Sequence, residues 1–577
     1  MYKMKKIFFF VSFAIVVFYC SCNTNNSSQK ETIATDTASI VKGEKLFLQN
    51  CGTCHNFQQD GIGPALAGIT KAVSAQWISH FIKNPKGLID SGDSRALKLF
   101  QQYHVIMPSF GTYNDSDINA IIAFINTHNT IIKKIDDNDS TFIKDPIPAK
   151  IAFSGLTAEL KLVTQFPPSS DSGKMPLTRV TKLFYQPSNG KSFAVDLRGK
   201  LYMLDGNHPV EYMNIAKLEP NFINSPGLGT GFGNFAFHPD FAKNGLLYTT
   251  HAESVGSVKD DFNFPDSIKG GLQWVLTEWK TDHPEAVPFS GKPRELLRIT
   301  MVTDMHGVQE ISFNPLAKPG DTDYGLLYIG VGDGGAVENG YPFLVHNTQR
   351  VWGTVLRIDP AGRNSKNGQY GIPAQNPFAA DQNENTVKEI FAYGFRNPHR
   401  ITWSNEGKLL VSNVGHGNIE SLNWVNAGND FGWPIREGNF AIHTFGNLNK
   451  VYPLPANDSA YHITYPVAAF DHDEGKATCG GYEYGGKTVP MLAGKFLFGD
   501  IPTGRLFYVD VKDLKQGQYA TIKEWKITIN GMPKTLEELC GAGRIDLHFG
   551  KDSKGEIYIL TKADGKLYKI VSARMRK

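Results

Sequence analysis

The sequence predicts a multidomain chain, a small all-α domain followed by a large all-β domain. Three observations carry that reading. The chain has 577 residues, several times the roughly 150 that prime an expectation of one domain. Ile118, Ile121, Ile122 and Ile125 recur at helical spacing behind Asn114, a residue type that caps helix starts, with Asp117 at the third helical position. From about Ala152 onward no helical period is sustained. Short apolar or aromatic runs recur there instead, each led by a turn glycine: Gly245-Leu-Leu-Tyr248, Gly325-Leu-Leu-Tyr328, Gly407-Lys-Leu-Leu410, Gly504-Arg-Leu-Phe507, Gly555-Glu-Ile-Tyr558 and Gly565-Lys-Leu-Tyr568. Ser192 to Leu204 reads as two strands joined at Arg198-Gly199. About 420 residues of this kind divide into six four-stranded blades of about 70 residues, a six-bladed β-propeller, with two tandem β-sandwiches as the other solution.

Composition narrows the functional classes. Hydrophobic residues at 41% and charged residues at 20% are globular proportions. A net charge of +3 over 59 basic and 56 acidic residues gives no electrostatic case for a nucleic-acid partner. The 57 glycines and 12% aromatics favour turn-rich β structure. Six cysteines do not make a disulfide-built scaffold.

The first segment, residues 1–22, reads as an address. Lys3, Lys5 and Lys6 precede an apolar stretch from Ile7 to Tyr19, too short to span a bilayer comfortably. It ends in Tyr19-Cys20-Ser21-Cys22 and a polar run, 23–38. This resembles a bacterial lipoprotein signal peptide, and Cys22, behind the small Ser21, is the expected lipid-bearing residue. An ordinary cleaved signal is the alternative. Both export the chain, to the periplasmic side or cell envelope, where disulfides persist.

Cys51-Gly52-Thr53-Cys54-His55 is the C-x-x-C-H pattern of covalent haem attachment: two thiols add to the vinyl groups and the adjacent His ligates iron. A zinc or redox pair is the competing reading, but zinc would need two further ligands and no second cluster lies nearby. Gly43 and Phe47 precede the motif, Gly61-Ile-Gly-Pro-Ala-Leu66 follows it, and Met107-Pro-Ser-Phe110 comes later. Together these resemble a class I cytochrome c over residues 39–130. The resemblance implies haem c bound through Cys51 and Cys54, His55 as proximal iron ligand and Met107 as distal ligand, with His104 as its competitor. Residues 131–151 carry Lys, Asp and Pro with little periodicity and read as a linker.

In the region 152–577, Phe235-Ala-Phe-His-Pro-Asp-Phe241 follows Gly227-Leu-Gly229. His306 precedes Ile311-Ser-Phe-Asn-Pro315 and Leu327-Tyr-Ile-Gly-Val-Gly-Asp-Gly-Gly335. Trp352-Gly353, Tyr393-Gly-Phe-Arg-Asn-Pro398, Asn429-Asp-Phe-Gly-Trp-Pro434, Gly480-Gly-Tyr-Glu-Tyr484 and Gly494-Lys-Phe-Leu-Phe-Gly-Asp500 then follow in order. In this order they resemble the glucose/sorbosone dehydrogenase family, the soluble quinoprotein sugar dehydrogenases. The whole chain is then a small all-α cytochrome c domain followed by an all-β six-bladed propeller. The resemblance implies His306 as general base on a sugar hydroxyl, and Arg396 and Asn397 as contacts to pyrroloquinoline quinone (PQQ). It also implies backbone carbonyls of Gly415 and His416 as Ca²⁺ ligands, and Arg544 as a further quinone-binding residue.

Three departures stand out. Met305 occupies a position where sugar-oxidising members commonly place Asp beside the base. Pro502-Thr503-Gly504 lacks a cofactor Lys. The arginine pair of the last blade is reduced to Arg544 in Arg544-Ile-Asp546. Cys479 and Cys540 are expected either to form a disulfide or to be two buried thiols. Asp260-Asp261 and the run Asp471 to Glu474 could reach a cation but read better as solvated loops. The function expected is an oxidoreductase that oxidises a sugar or polyol at PQQ and passes electrons to its own haem, then to a downstream cytochrome or oxidase. The alternative is a non-catalytic carbohydrate- or protein-binding propeller tethered to an electron carrier. A polar, Arg-lined pocket at the centre of the propeller separates the two.

Overall fold

The computed structural model describes residues 33–51, 54–55, 57, 60, 63–128, 141–170, 175–225, 229–265, 268–444 and 446–575. The signal, Cys22, Gly52, Thr53, Gly61, Ile62, Gly227, Leu228 and residues 131–140 of the expected linker lie outside the described residues. Among the described residues no helix is long and apolar enough to cross a membrane.

The N-terminal region is helical. Asp36 caps Thr37–Asn50, its Oδ1 accepting from the Ser39 amide at 2.8 Å. Asn114 caps Asp115–Thr127 as its sequence predicts, accepting from the Asp117 amide at 2.9 Å. Ile118, Ile121, Ile122 and Ile125 all face the core. The two helices cross at Gly43, where an added Cβ would fall 1.8 Å from the Ala120 carbonyl oxygen. Only a residue without a side chain lets the backbones approach so closely. Ala75–Lys83 and Ser94–Tyr103, capped by Ser74 and Asp93, complete the surround of an apolar cavity.

The described part of the expected linker, residues 141–151, lies on the β domain. Ile143 forms a β-bridge with Val451, and the Ile147 amide donates to Asp471 Oδ2 at 3.0 Å. Ile143 and Ile151 pack against hydrophobic clusters of the β domain. The acidic runs are likewise structural acceptors. Asp471 is buried, Glu474 takes Arg505 Nη1 at 2.6 Å, and Asp261 Oδ2 accepts from the Arg298 amide at 2.9 Å.

From Phe153 the chain is almost wholly β, in antiparallel runs of four strands. Phe232–Phe237, Leu246–Ser254, Leu272–Lys280 and Lys292–Met301 form one sheet. Glu310–Phe313, Leu327–Val331, Thr354–Ile358 and Ile390–Tyr393 form the next. Pro398–Trp403, Leu409–Asn413, Ile419–Val425 and Ala468–Asp471 form a third, and a small three-stranded sheet lies between the last two of these strands in sequence. The remaining strands join in one 13-stranded sheet. Within it Tyr482–Glu483 to Lys523–Ile529, Leu547–Lys551 to Lys566–Met575, and Val180–Tyr185 to His208–Asn214 are antiparallel, and the junctions between runs are parallel. Phe153–Gln165 pairs antiparallel with Lys566–Met575, Leu156 opposite Met575 and Gln165 opposite Lys566, so the two ends of the β domain are hydrogen-bonded together. The glycine-led runs sit where the sequence puts them: Gly245 takes φ of 63° and Leu246 opens a strand.

One buried carboxylate ties the first strands of four runs together. Glu310 is fully buried and accepts from Lys182 Nζ at 2.6 Å, Asn234 Nδ2 at 3.2 Å and Arg400 Nη1 at 2.5 Å. The expected disulfide is not formed. Cys479 and Cys540 are free thiols of one hydrophobic cluster, the Cys479 Sγ donating to the Gly480 carbonyl at 3.2 Å. Burial pushes the Cys540 thiol up to about 12.

Glu310→Ala leaves two buried cations without their anion, and a loss of about 3–5 kcal/mol is expected for such a broken pair. Denaturant titration of the full chain checks this; native stability in the variant would show that Glu310 does not hold the strands.

Candidate functional site

The first cavity lies among the helices. It has a volume of about 580 Å³, within the roughly 300–1,000 Å³ of small-molecule sites. Phe47, Trp77, Phe81, Leu99 and Phe110 make its wall apolar, and Cys51, Cys54, His55 and Met107 face it together. His55 Nδ1 lies 2.9 Å from the Pro64 carbonyl oxygen, an acceptor, so Nδ1 carries the proton and Nε2 keeps its lone pair for a metal. Burial, with Cys54 nearby, pushes the Cys51 thiol up to about 12. Two thiols, a ring nitrogen and a thioether in an apolar pocket fit haem c. His104 is exposed, caps Ser94–Tyr103 at a φ of 51°, and takes no part in the cavity wall. Of the two candidate distal ligands, Met107 alone is placed to serve.

The second cavity, of about 190 Å³, lies in the β domain where first strands converge with the turns that join second and third strands. At on the order of 10–15 Å³ for each water, it could hold about a dozen, the room of a ring-sized ligand. His306 enters it at a φ of 48°, in the left-handed region that non-glycine residues seldom adopt. Its Nδ1 lies 2.7 Å from Asp333 Oδ1. Asp333 is wholly buried and also accepts from the Gly335 amide at 3.0 Å and from Trp433 Nε1 at 2.9 Å. A carboxylate fixed by two other donors holds the proton on Nδ1 and leaves Nε2 of His306 as a base.

Arg396 and Asn397 line the same cavity. Arg396 grips Glu338 Oε1 through Nε at 2.9 Å and Nη2 at 2.6 Å, lies over Trp433, and donates Nη1 to the Gly415 carbonyl at 2.5 Å. Burial raises the Glu338 carboxyl, but Arg396 and His416 outweigh it and hold the group well below the usual carboxylate range. His416 reaches Glu338 through its ring, Nδ1 to Oε1 at 3.1 Å. The Gly415 carbonyl is thus already taken by a guanidinium, and a dication there would face that positive charge. The Gly415 carbonyl does not fit as a calcium ligand in this arrangement.

A carboxylated aromatic quinone fits better. Lys476 and Lys562 both line the cavity, and burial pulls the Lys562 ammonium down to about 8, so its charge gains from an incoming anion. Among the described residues, His399 Nε2, His416 Nε2 and both ring nitrogens of His548 are buried at this wall without a hydrogen-bond partner. Such groups are costly unless a ligand or water satisfies them. Asp304 also lines the cavity, its carboxyl raised to about 6 by burial.

Two of the three departures have a counterpart in the cavity. Asp304 supplies a carboxylate one residue before Met305, and Asp333 supplies the one that orients His306. Lysines from two other turns stand in for the one missing at Thr503. Sequence reasoning passed over Asp333, Glu338, Lys476, Lys562, His399 and His548. Only Asp333, inside Gly332-Asp-Gly-Gly335 after a strand, carried a local signal. Arg544 lines both cavities: Nε binds Asp546 Oδ1 at 2.8 Å and Nη1 lies 3.4 Å from Cys54 Sγ.

The family model described as Glucose / Sorbosone dehydrogenase matches residues 183–569, and that described as Cytochrome c matches residues 40–129. The HIPL1 protein of Arabidopsis thaliana is 27% identical over 376 residues, 57% of this chain and 52% of the relative. Quinoprotein glucose dehydrogenase B of Acinetobacter calcoaceticus is 25% identical over 229 residues, 37% of this chain and 42% of the relative. The chain spans about half the length of the curated relatives it matches. A crystal structure of a glucose dehydrogenase covers 71% of this chain and 99% of its own, with a TM-score of 0.50 at 15% identity, a likeness of fold.

In the haem-loaded protein, Met107→Ala is expected to retain covalent haem and lower its midpoint potential, because a thioether ligand raises it. His104→Ala is expected to change neither. Spectroelectrochemistry checks both, and the reverse pattern would make His104 the ligand.

Proposed function

The chain belongs to the glucose/sorbosone dehydrogenase family, and from that premise we propose that it is an oxidoreductase that draws electrons from a sugar or polyol at PQQ and sends them to its own haem c. The observation that carries this reading is the shared wall. Cys54 and His55, which anchor the haem, line the β-domain cavity that contains His306. A donor in one cavity and an acceptor in the other are then neighbours by construction.

The chain's own residues set the chemistry. His306 Nε2, freed by the Asp333 contact, takes the proton of the hydroxyl being oxidised. Asp304 holds a neighbouring hydroxyl of the substrate. Arg396, Lys476 and Lys562 hold the carboxylates and oxygens of the cofactor. When bound, PQQ supplies the two-electron acceptor and haem c the one-electron carrier that empties it. Oxidation of one alcohol to a carbonyl yields two protons and two electrons, and a downstream cytochrome or oxidase receives the electrons singly. The six four-stranded runs are read as six blades, with Phe153–Gln165 completing the last. Export, with a lipid anchor at Cys22 on the periplasmic side or in the cell envelope, places the protein among such acceptors.

The test uses the full chain with haem installed. PQQ is added with and without Ca²⁺, then a panel of aldoses and polyols, and the reduced haem band is followed. Reduction that requires both PQQ and a sugar is expected. His306→Ala and Asp333→Asn should each slow it by about 10²–10⁴-fold while leaving the haem spectrum unchanged. A haem that dithionite reduces, in a protein to which PQQ does not bind, would overturn the reading.

A further inference from the structure

We propose that Arg544 is the positioning residue that joins the two redox cavities, holding a fixed positive charge against the haem-anchoring sulfur of Cys54 and thereby raising the haem's potential. The inference deepens the oxidoreductase reading and rests on its assignment of haem c to the helical cavity.

Arg544 belongs to the β domain, yet its guanidinium divides between the domains. Nε is held by Asp546 Oδ1 at 2.8 Å, and Nη1 approaches Cys54 Sγ at 3.4 Å. Cys54 Sγ is a thiol here and stands for the thioether that joins the haem periphery once haem c is attached. Arg544 is largely buried, its side chain 16% exposed, so its charge is poorly screened by water.

The anchor is itself constrained. Asp546 is a non-glycine residue at a φ of 52°, and the Lys562 amide donates to its carbonyl at 3.3 Å. Burial raises the Asp546 carboxyl, but Arg544 and Lys562 prevail and keep it below its ordinary range, so the anchor is an anion. Strained backbone of this kind persists where the surroundings fix it. A second contact crosses between the domains, from Asn449 Nδ2 to the Asp60 carbonyl at 2.7 Å. The haem-binding loop is therefore held at two points, and Arg544 keeps its place over the sulfur.

The sign follows from charge. Reduced haem carries one electron more than oxidised haem, so a nearby cation favours the reduced form and raises the potential. The same guanidinium lines the His306 cavity, so the acceptor is tuned from the donor side.

The test uses full-length haem-loaded protein without PQQ, and its readout is the midpoint potential. Arg544→Gln is expected to shift the potential downward with an unchanged haem spectrum. Arg544→Lys, which keeps a charge on a shorter reach, is expected to fall between the two. A native potential in R544Q, or equal shifts in R544Q and R544K, would overturn the proposal. Should R544Q give no folded holoprotein, R544K decides alone: a potential below native is expected and the native value refutes it. Sugar-driven haem reduction in the native protein, with an unshifted R544Q, sinks this inference and spares the oxidoreductase reading. A shifted R544Q with no PQQ-dependent reduction does the reverse.

Discussion

The geometry of the β domain depends on one buried anion. Glu310 receives Lys182, Asn234 and Arg400 from three other runs of strands. Two cations share one carboxylate in a dry interior, so none of the three charges can leave without stranding another. Burial, together with the Arg400 charge, pulls the Lys182 ammonium below its ordinary range, although Glu310 pulls it up. Arg400 also lines the His306 cavity. The network that fixes the strands therefore also reaches the wall of the site.

The site separates its charges by role. Asp333 is saturated by three donors and serves only to orient His306. Glu338 Oε1 is taken by Arg396 and His416, while its Oε2 is buried without a hydrogen-bond partner among the described residues. Lys476 and Lys562 remain as cations whose stability improves with an anionic ligand. A cavity with an oriented imidazole and positive charge is the arrangement the proposed function calls on. His548, buried with both nitrogens unpaired among the described residues, is a group that a ligand or water would satisfy.

What the sequence made legible was local. C-x-x-C-H, the Asn114 cap with Asp117, the isoleucine period and the glycine-led strands are each written within a few residues, and each stands where it was expected. The unread parts are set by closure over long separations. Asp333 meets His306 from the far side of a strand, and Lys562 reaches the cavity from the last run. Neither spacing has a pattern, because the convergence of strand ends brings them together. The packing of residues 141–151 was unread for the same reason: Ile143 finds its partner at Val451, some 300 residues on. Cys479 and Cys540 share a cluster without pairing, since a common core does not align two sulfurs.

Covalent fusion of a carrier to a dehydrogenase by itself yields only a high effective concentration, set by the tether. A linker that let the haem domain wander would make each transfer wait for an encounter. Here residues 141–151 lie down on the β domain and the haem-binding loop is bonded to it at Arg544 and Asn449. The encounter is replaced by a standing contact, and Cys54 and His55 become part of the wall of the cavity that contains His306. Fixing the loop has a consequence for substrate as well. Cys54 and His55 narrow the cavity they face, so under the proposed function the same contact that shortens the electron path limits how large a sugar can approach His306. On that reading speed of transfer and breadth of substrate are set by one interface, and a change that opens it alters both together.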